Sequence, residues 1–587
     1  MSETTDILII EGDEQRRLDP GLPDGGLPPA VGVHSVQVFR ASRDAPELSD
    51  GQGWTYHHHV DMACWRGRLY VGWNSCEKDE DVWPSRELYS MSEDGITWTP
   101  PRELFPQGVS TCLRMYFYHA PNGRMLAIAG LRLDQRDTSE DRKGGLVVRE
   151  IAPSHELGPV MTLQQPVGNV HCPPMYTQSD DGGFIAACEQ LLADHVFLEQ
   201  QDRGRLLGDR RMKWHDGSAW PGGKVPGDSD KWVCGKAWTF FRRRDGKRVG
   251  ISKMGWTTIS TDDHDWSQPY VPPTLVTGKA KVWAQQTADG RYALVYNPSR
   301  RQRYPLAVVT SADGVTFRDM RIVQGELPIQ RYEGRDRSIG PQYTRGISEW
   351  ANDGSRDELV MWLVYSMSKE DIWVSRVPLP VQADGAGEVV DEPNEGQIGR
   401  IVPGWNVYQP KWTAVSVESR DGGSPVLRLT DRDPYDYACA QRVFGASAVV
   451  QARFELMAQP AGADSCLEIE LLPPDGRAAL CLRIRGDQMV FAECSHGGAA
   501  VGRVAPERWV RITISADCAS GRWSATLNDQ PIVSAAPLAG HPAALHRILF
   551  RTGRRRGIGG KQPVPAGTDR PVSESSYAIR CLNVRLG

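Results

Sequence analysis

Short apolar runs separated by polar turns set the pattern along this chain, and long helical periodicity is nearly absent. Runs of alternating or β-branched residues bounded by Gly, Asp, Asn and Pro predict an all-β protein. One unit recurs, a glycine turn followed by an apolar strand: W-R-G-R-L-Y-V-G-W (65–73), P-N-G-R-M-L-A-I-A (121–129), D-G-G-F-I-A-A-C (181–188), R-D-G-K-R-V-G-I (244–251), A-D-G-R-Y-A-L-V-Y (288–296) and N-D-G-S-R-D-E-L-V-M-W (352–362). The glycines fall at 67, 123, 183, 246, 290 and 354, a repeat of roughly 44 to 64 residues. That is the size of a four-stranded propeller blade, each copy being the hairpin between its first two strands. Six copies are visible. Strands from 30–50 and 370–380 would close a seventh, so the pattern predicts seven blades, with six as the alternative.

The pattern also divides the chain. Residues 1–30 read as an irregular arm, 31–382 as the propeller, 383–400 as an acidic, Gly-rich linker, and 401–587 as a β-sandwich. Strand-like runs fill the last part: A-V-V-Q-A-R-F-E-L (448–456), S-C-L-E-I-E-L-L (465–472), A-L-C-L-R-I-R (479–485) and E-R-W-V-R-I-T-I-S (507–515).

A net charge of −5, with 68 basic and 73 acidic residues, provides no basic field for nucleic acid. No run approaches the length that crosses a bilayer, so no membrane partner is expected. The twelve cysteines show no paired spacing and read as buried thiols. The acidic start, MSETTDILII, lacks a basic region and a long apolar stretch. A cytoplasmic location is expected if this start is native, and a secreted one if a signal was removed.

Candidate chemistry follows from the register. Counting back nine positions from each turn glycine gives His58, Arg114, Pro174, Ala237, Lys281 and Arg345, a mostly basic set at one depth near the propeller axis. Such a set suits an anionic substrate; pairing with acids such as Asp61 is the structural alternative. Y-H-H-H (56–59) places His57 and His59 on one face of a regular strand and His58 on the other, which argues against all three ligating one metal. An imidazole here suits proton transfer or substrate hydrogen bonding. No metal-ligand set emerges and no cofactor is required, although a calcium-like divalent cation is compatible. Aromatic and planar polar residues near strand starts suit a sugar: His171, Tyr176, Trp283, Gln286 and Arg303.

S-E-D-G-I-T-W (92–98) and S-A-D-G-V-T-F (311–317) resemble the Asp box of sialidase-like propellers, and S-T-D-D-H-D-W (260–266) resembles a degraded copy. The stretch from Tyr56 to Trp98, with W-A-Q-Q-T-A-D-G-R-Y-A-L-V-Y-N-P (283–298) and D-I-W-V-S-R-V-P (371–378), resembles the seven-bladed lyases of ulvan or rhamnosyl-glucuronate linkages and the related α-L-rhamnosidases. In 507–532, W-V-R-I followed by W-S-A-T-L-N-D resembles concanavalin/laminin-G-like modules. Sialidases themselves open an arginine triad with an F-R-I-P-like motif. V-F-R-A-S (38–42) departs from it after two residues, so a true sialidase is not expected.

The resemblance and the basic set together imply a carbohydrate-active enzyme that cleaves a uronate-containing oligo- or polysaccharide by β-elimination. Arg345 or Arg114 would neutralise the carboxylate. His58, His59, Tyr343 or Tyr176 would exchange protons, with His57, His171, Lys281, Trp283, Gln286 and Arg303 binding substrate. Hydrolysis on the same scaffold, and glycan binding without catalysis, are the alternatives.

Overall fold

The computed structural model describes residues 7–80, 82–107, 115–131, 145–166, 172–200, 213–214, 237–253, 255–267, 269–277, 280–300, 302–335, 337–347, 359–382, 385, 387–419, 423–493, 500–557 and 569–587. The chain divides into two compact units. One takes residues up to Gln15, Val38–Met320 and Tyr332–Val374; the other takes Arg16–Gln37, Arg321–Arg331 and Ser375–Gly587.

The first unit is a propeller. After β1 (Ile9–Ile10), a helical turn α1 (Glu14–Arg17) and β2 (His34–Phe39), its first blade is β3 (Tyr56–Trp65), β4 (Arg68–Cys76), β5 (Ser85–Ser92) and β6 (Arg102–Phe105). The second is β7 (Met115–His119), β8 (Met125–Leu131), β9 (Gly145–Ile151) and β10 (Met161–Gln164). Helices α2 (Gly182–Ala193) and α3 (His195–Gln200) and the two-residue β11 (Lys213–Trp214) come next. The third blade is β12 (Thr239–Arg242), β13 (Arg248–Ile251), β14 (Thr257–Ser260) and β15 (Asp265–Trp266). The fourth is β16 (Trp283–Gln286), β17 (Tyr292–Tyr296), β18 (Leu306–Ser311) and β19 (Thr316–Gln324). The β11 strand pairs with β15 and β1 with β19, both in parallel. A further sheet orders β20 (Pro341–Gly346), β21 (Val360–Met367) and β22 (Asp371–Pro378).

Blades stack face to face, so strands that would alternate in a half-exposed sheet are buried on both faces. Every residue of β3 is buried, as are all but the first of β4. The seam between the first two blades is filled by Trp65, Tyr70, Tyr89, Phe105, Met115 and Phe117 with their neighbours. First strands lie innermost: β3 packs beside β7, β20 and β21, and β16 packs beside β12 and β20.

Four of the six expected hairpins are present. Gly67, Gly123, Gly246 and Gly290 each turn at φ between 77° and 85° between the first two strands of a blade. The copy at Gly354 lies outside the described residues. The copy at Gly183 is not a hairpin, because 182–193 is helix α2. Asp181 caps it by accepting from the Gly183 and Phe184 amides at 2.9 and 3.1 Å, and Phe184, Ala187, Cys188 and Leu191 form a buried stripe at helical spacing. The blade count is corrected with it. Among the described residues four separate blade sheets are found, not seven or six.

All three Asp boxes turn between third and fourth strands. In the first, the Ile96 and Thr97 amides donate to Asp94 Oδ1 at 2.8 and 2.7 Å, and Ser92 Oγ accepts from the Gly95 amide at 2.7 Å. The degraded copy keeps the turn with Asp263 in glycine's left-handed place at φ 66°, its carboxylate paired to Arg242 and Arg248.

The second unit is a pair of β-sheets. One runs β2, Trp405–Gln409, Cys439–Ser447, Leu545–Arg551, Cys466–Leu472, Leu480–Arg485, Met489–Glu493 and Ala500–Arg503. The other is built around Val449–Gln459, Val510–Asp517 and Ser575–Leu586. Alternate residues of both face a shared apolar core that includes Phe454, Ile469, Trp523 and Phe550. Among the described residues the nine cysteines are all free thiols, and no helix is long and apolar enough to cross a membrane.

Candidate functional site

The site grows from two irregularities in adjacent inner strands. In β3 the pairing steps from His58↔Asn74 to Asp61↔Gly72, so His59 and Val60 together oppose Trp73. In β20 it steps from Gln342↔Ser366 to Arg345↔Val364, so Tyr343 and Thr344 oppose Tyr365. Each is a β-bulge, and each puts a bulky residue in the left-handed region: His59 at φ 53° and Tyr343 at φ 56°. The expected strict alternation along Y-H-H-H therefore fails. The His58 and His59 rings lie 4.6 Å apart and both approach Tyr343, at 4.3 and 5.4 Å between centroids.

Cations surround the phenol. Lys253 Nζ donates to the Tyr343 hydroxyl at 2.6 Å, and Lys281 and Arg303 each stand 5.1 Å from the ring centre. Burial raises the Tyr343 pKa, but the Lys253 and Arg303 charges and the Lys253 hydrogen bond outweigh it and hold the group below its ordinary value. His58 Nδ1 meets Ser366 Oγ at 2.5 Å. Burial, then the neighbouring His59 and Lys369, keep His58 well below the usual histidine range, so it is neutral. Glu80 receives His59 Nε2 at 3.0 Å and Lys369 Nζ at 2.6 Å. Burial opposes its ionisation, but the His59 bond and surrounding positive charge prevail and its pKa is lowered.

Asp61 follows the first bulge. Its Oδ2 accepts from the Phe117 amide at 2.9 Å. Burial pushes its pKa up to about 6, against the pull of Arg345, the amide bonds and Lys281.

Of the residues expected at a site, His58, His59, Tyr343, Lys281 and Arg303 come together. Arg345 lies to one side: its guanidinium is 5.4 Å from the Trp283 ring centre and donates to the Trp238 and Gln200 carbonyls at 3.4 and 3.2 Å. Trp283 is buried and donates to Gln285 at 2.7 Å, while Gln286 is exposed at the end of β16. His57 faces away, packed 4.3 Å from Phe39, with its Nε2 2.9 Å from the Trp54 carbonyl and its Nδ1 accepting from Trp73. Tyr176 is bonded to Glu189 of α2. Arg114 and His171 lie outside the described residues. Sequence reasoning missed Lys253, Ser366 and Lys369, which lie in turns and second strands that the nine-position register does not sample.

One group of side chains, Glu468, Glu470 and Cys481, has metal-ligand proximity among the described residues. Both carboxylates are ion-paired to Arg551, at 2.7 and 3.1 Å, which occupies them.

Residues 9–112 and 109–206 match the BT_1020-like N-terminal β-propeller family, and residues 405–563 match the sialidase-like CBM domain. A solved structure named sialidase is 28% identical, with a TM-score of 0.84 over 99% of this chain. The propeller is sialidase-like. This chain spans about half, 54%, of that sialidase. Trypanosoma rangeli sialidase in complex with sialic acid is 11% identical over 94% of this chain and 96% of its own, with a TM-score of 0.35 that is too low to argue from. No curated protein matches the chain. The sialidase-like propeller expected from the Asp boxes is thus borne out, while the finer resemblance to lyases and rhamnosidases is not shown by these matches.

Proposed function

We propose that the sialidase-like propeller is a glycoside hydrolase for a glycan carrying an acidic sugar, with Tyr343 as nucleophile. The observation that carries this reading is the 2.6 Å Lys253–Tyr343 hydrogen bond within a group of three cations. Tyrosine is the nucleophile in sialidase-type hydrolysis, and a nearby cation activates it by stabilising the phenolate. The similarity to a structure named sialidase supports hydrolysis over elimination.

In this reading Lys281 and Arg303 receive the substrate's carboxylate. The Tyr343 oxygen attacks the anomeric carbon, forming a glycosyl–tyrosine bond as the bond to the leaving oxygen breaks. Asp61, whose pKa of about 6 keeps part of it protonated near neutrality, gives its proton to that oxygen. The resulting carboxylate then takes a proton from water as the water attacks the same carbon, and the Tyr343 phenolate departs.

The test is incubation with acidic oligosaccharides and a fluorinated glycoside, followed by product mass and peptide mapping. Products carrying one added water and a glycosyl adduct on the Tyr343 peptide are expected. An unsaturated uronate absorbing in the ultraviolet would replace hydrolysis with β-elimination. Full turnover by Tyr343→Phe would remove Tyr343 from the chemistry.

A further inference from the structure

The loop between β17 and β18 lays Arg303 against β20, the strand that carries Tyr343. Two devices hold the main chain of that loop. The buried Asn297 donates from Nδ2 to the Pro305 and Pro341 carbonyls, each at 3.0 Å, which ties the far end of the loop to the start of β20. Gly340 adopts φ 107°, and a Cβ there would come 2.1 Å from the Arg303 carbonyl oxygen. Only a glycine lets the two segments lie this close.

The side chain is aimed by a neutral group. Gln342, fully buried, accepts from Arg303 Nη1 through Oε1 and donates from Nε2 to the Ser338 carbonyl. A guanidinium only donates and a carbonyl only accepts, so both partners require the same orientation of the amide. Gln342 is also the last residue of β20 in register before the bulge, opposite Ser366, which bonds His58. The choice of glutamine over glutamate matters here. A carboxylate would face the Ser338 oxygen with no proton to give, and its charge would compete with a bound carboxylate for Arg303. The amide fixes the direction of the half-exposed guanidinium, 5.1 Å from the Tyr343 ring centre, and adds no charge of its own.

We propose that Gln342 is a positioning residue: it aims Arg303 at the substrate's carboxylate without cancelling its charge, and so sets the preference of the site for an acidic sugar over the corresponding neutral ester. This rests on the acidic-sugar reading above and adds to it a residue that touches neither substrate nor nucleophile.

The experiment uses the full chain carrying Tyr343→Phe, which keeps the ring and prevents turnover. The methyl glycosides of N-acetylneuraminic acid and of glucuronic acid, each beside its carboxyl methyl ester, are titrated by ligand-observed NMR. At least one acid is expected to bind tenfold or more tighter than its ester. Gln342→Glu should weaken that acid tenfold or more, and Gln342→Met, which removes both hydrogen bonds and adds no charge, at least threefold. Both should leave the ester within twofold. With Arg303→Met already in place, Gln342→Met should change neither ligand, an outcome that a merely structural role would not produce. If Gln342→Glu does not melt cooperatively, Gln342→Met and the Arg303→Met background decide alone. An acid preference that survives these variants, an equal loss of acid and ester, or a loss that persists without Arg303 overturns the proposal and leaves the acidic-sugar reading standing. No preference for either acid over its ester overturns that reading and the proposal together.

Discussion

Replacing Lys253 by methionine tests the activated phenol directly. The substitution keeps the length of the side chain and removes both its charge and the hydrogen bond to Tyr343. A cation 2.6 Å from a phenolate oxygen, in the effective dielectric of ~40 to ~80 suited to a half-exposed lysine, favours ionisation by about 1.5 to 3 kcal/mol. That corresponds to a phenolate fraction roughly ten- to a hundredfold lower at a given pH once Lys253 is gone. Lys281 and Arg303 stay in place, so part of the activation should survive. The assay is an alkaline titration of phenolate absorbance, taking the difference between each protein and the same protein carrying Tyr343→Phe, which isolates one tyrosine among 17. The sign is fixed, since losing a cation disfavours the charged phenolate and moves the midpoint to higher pH. The rising limb of any pH–rate profile should move with it. A midpoint that Lys253→Met leaves in place would refute the idea that this contact activates Tyr343.

Asp61 and Gly95 give two further predictions. Because the folded Asp61 titrates near 6 and an unfolded carboxyl near 3.8, the folded state holds its proton more tightly, and stability is lost as pH rises between those values. Asp61→Asn should therefore raise stability at pH 7 to 8 by up to about 3 kcal/mol, with the gain gone below pH 4, as read by denaturant unfolding. Gly95→Ala should lower stability by about 2 to 4 kcal/mol, because a Cβ there meets the Trp362 ring at 2.0 Å at a φ of 75°; an unchanged melting transition would show that the first Asp box is not held as described.

The fold was legible where local chemistry decides geometry. A glycine between two apolar runs and an S-x-D-G-x-T-W turn specify their conformations within a few residues, and Gly67, Gly246 and the three Asp boxes fell where the pattern put them. The misreading at 181–188 has the same origin. D-G-G serves as a helix start as readily as a hairpin, and the decisive signal, Leu191 continuing the spacing of Phe184, Ala187 and Cys188, lies beyond that stretch. For the site, the basic set anticipated His58 and Lys281 beside Tyr343, but the facing of each histidine was not legible. A bulge is a pairing between strands, and H-H-H carries no glycine to announce the turn at His59. Lys253 reaches Tyr343 across 90 residues, a distance no spacing rule spans.

The paired bulges also separate the site from the scaffold that carries it. Deleting His59 would bring His58, Val60 and Asp61 into unbroken register with Asn74, Trp73 and Gly72; deleting Tyr343 would do the same for Gln342, Thr344 and Arg345 against Ser366, Tyr365 and Val364. In each case the ladder becomes more regular while the convergent rings disappear. One extra residue per strand is thus what brings the His58, His59 and Tyr343 rings together, and single-codon insertions or deletions could create or remove that cluster without rebuilding a blade.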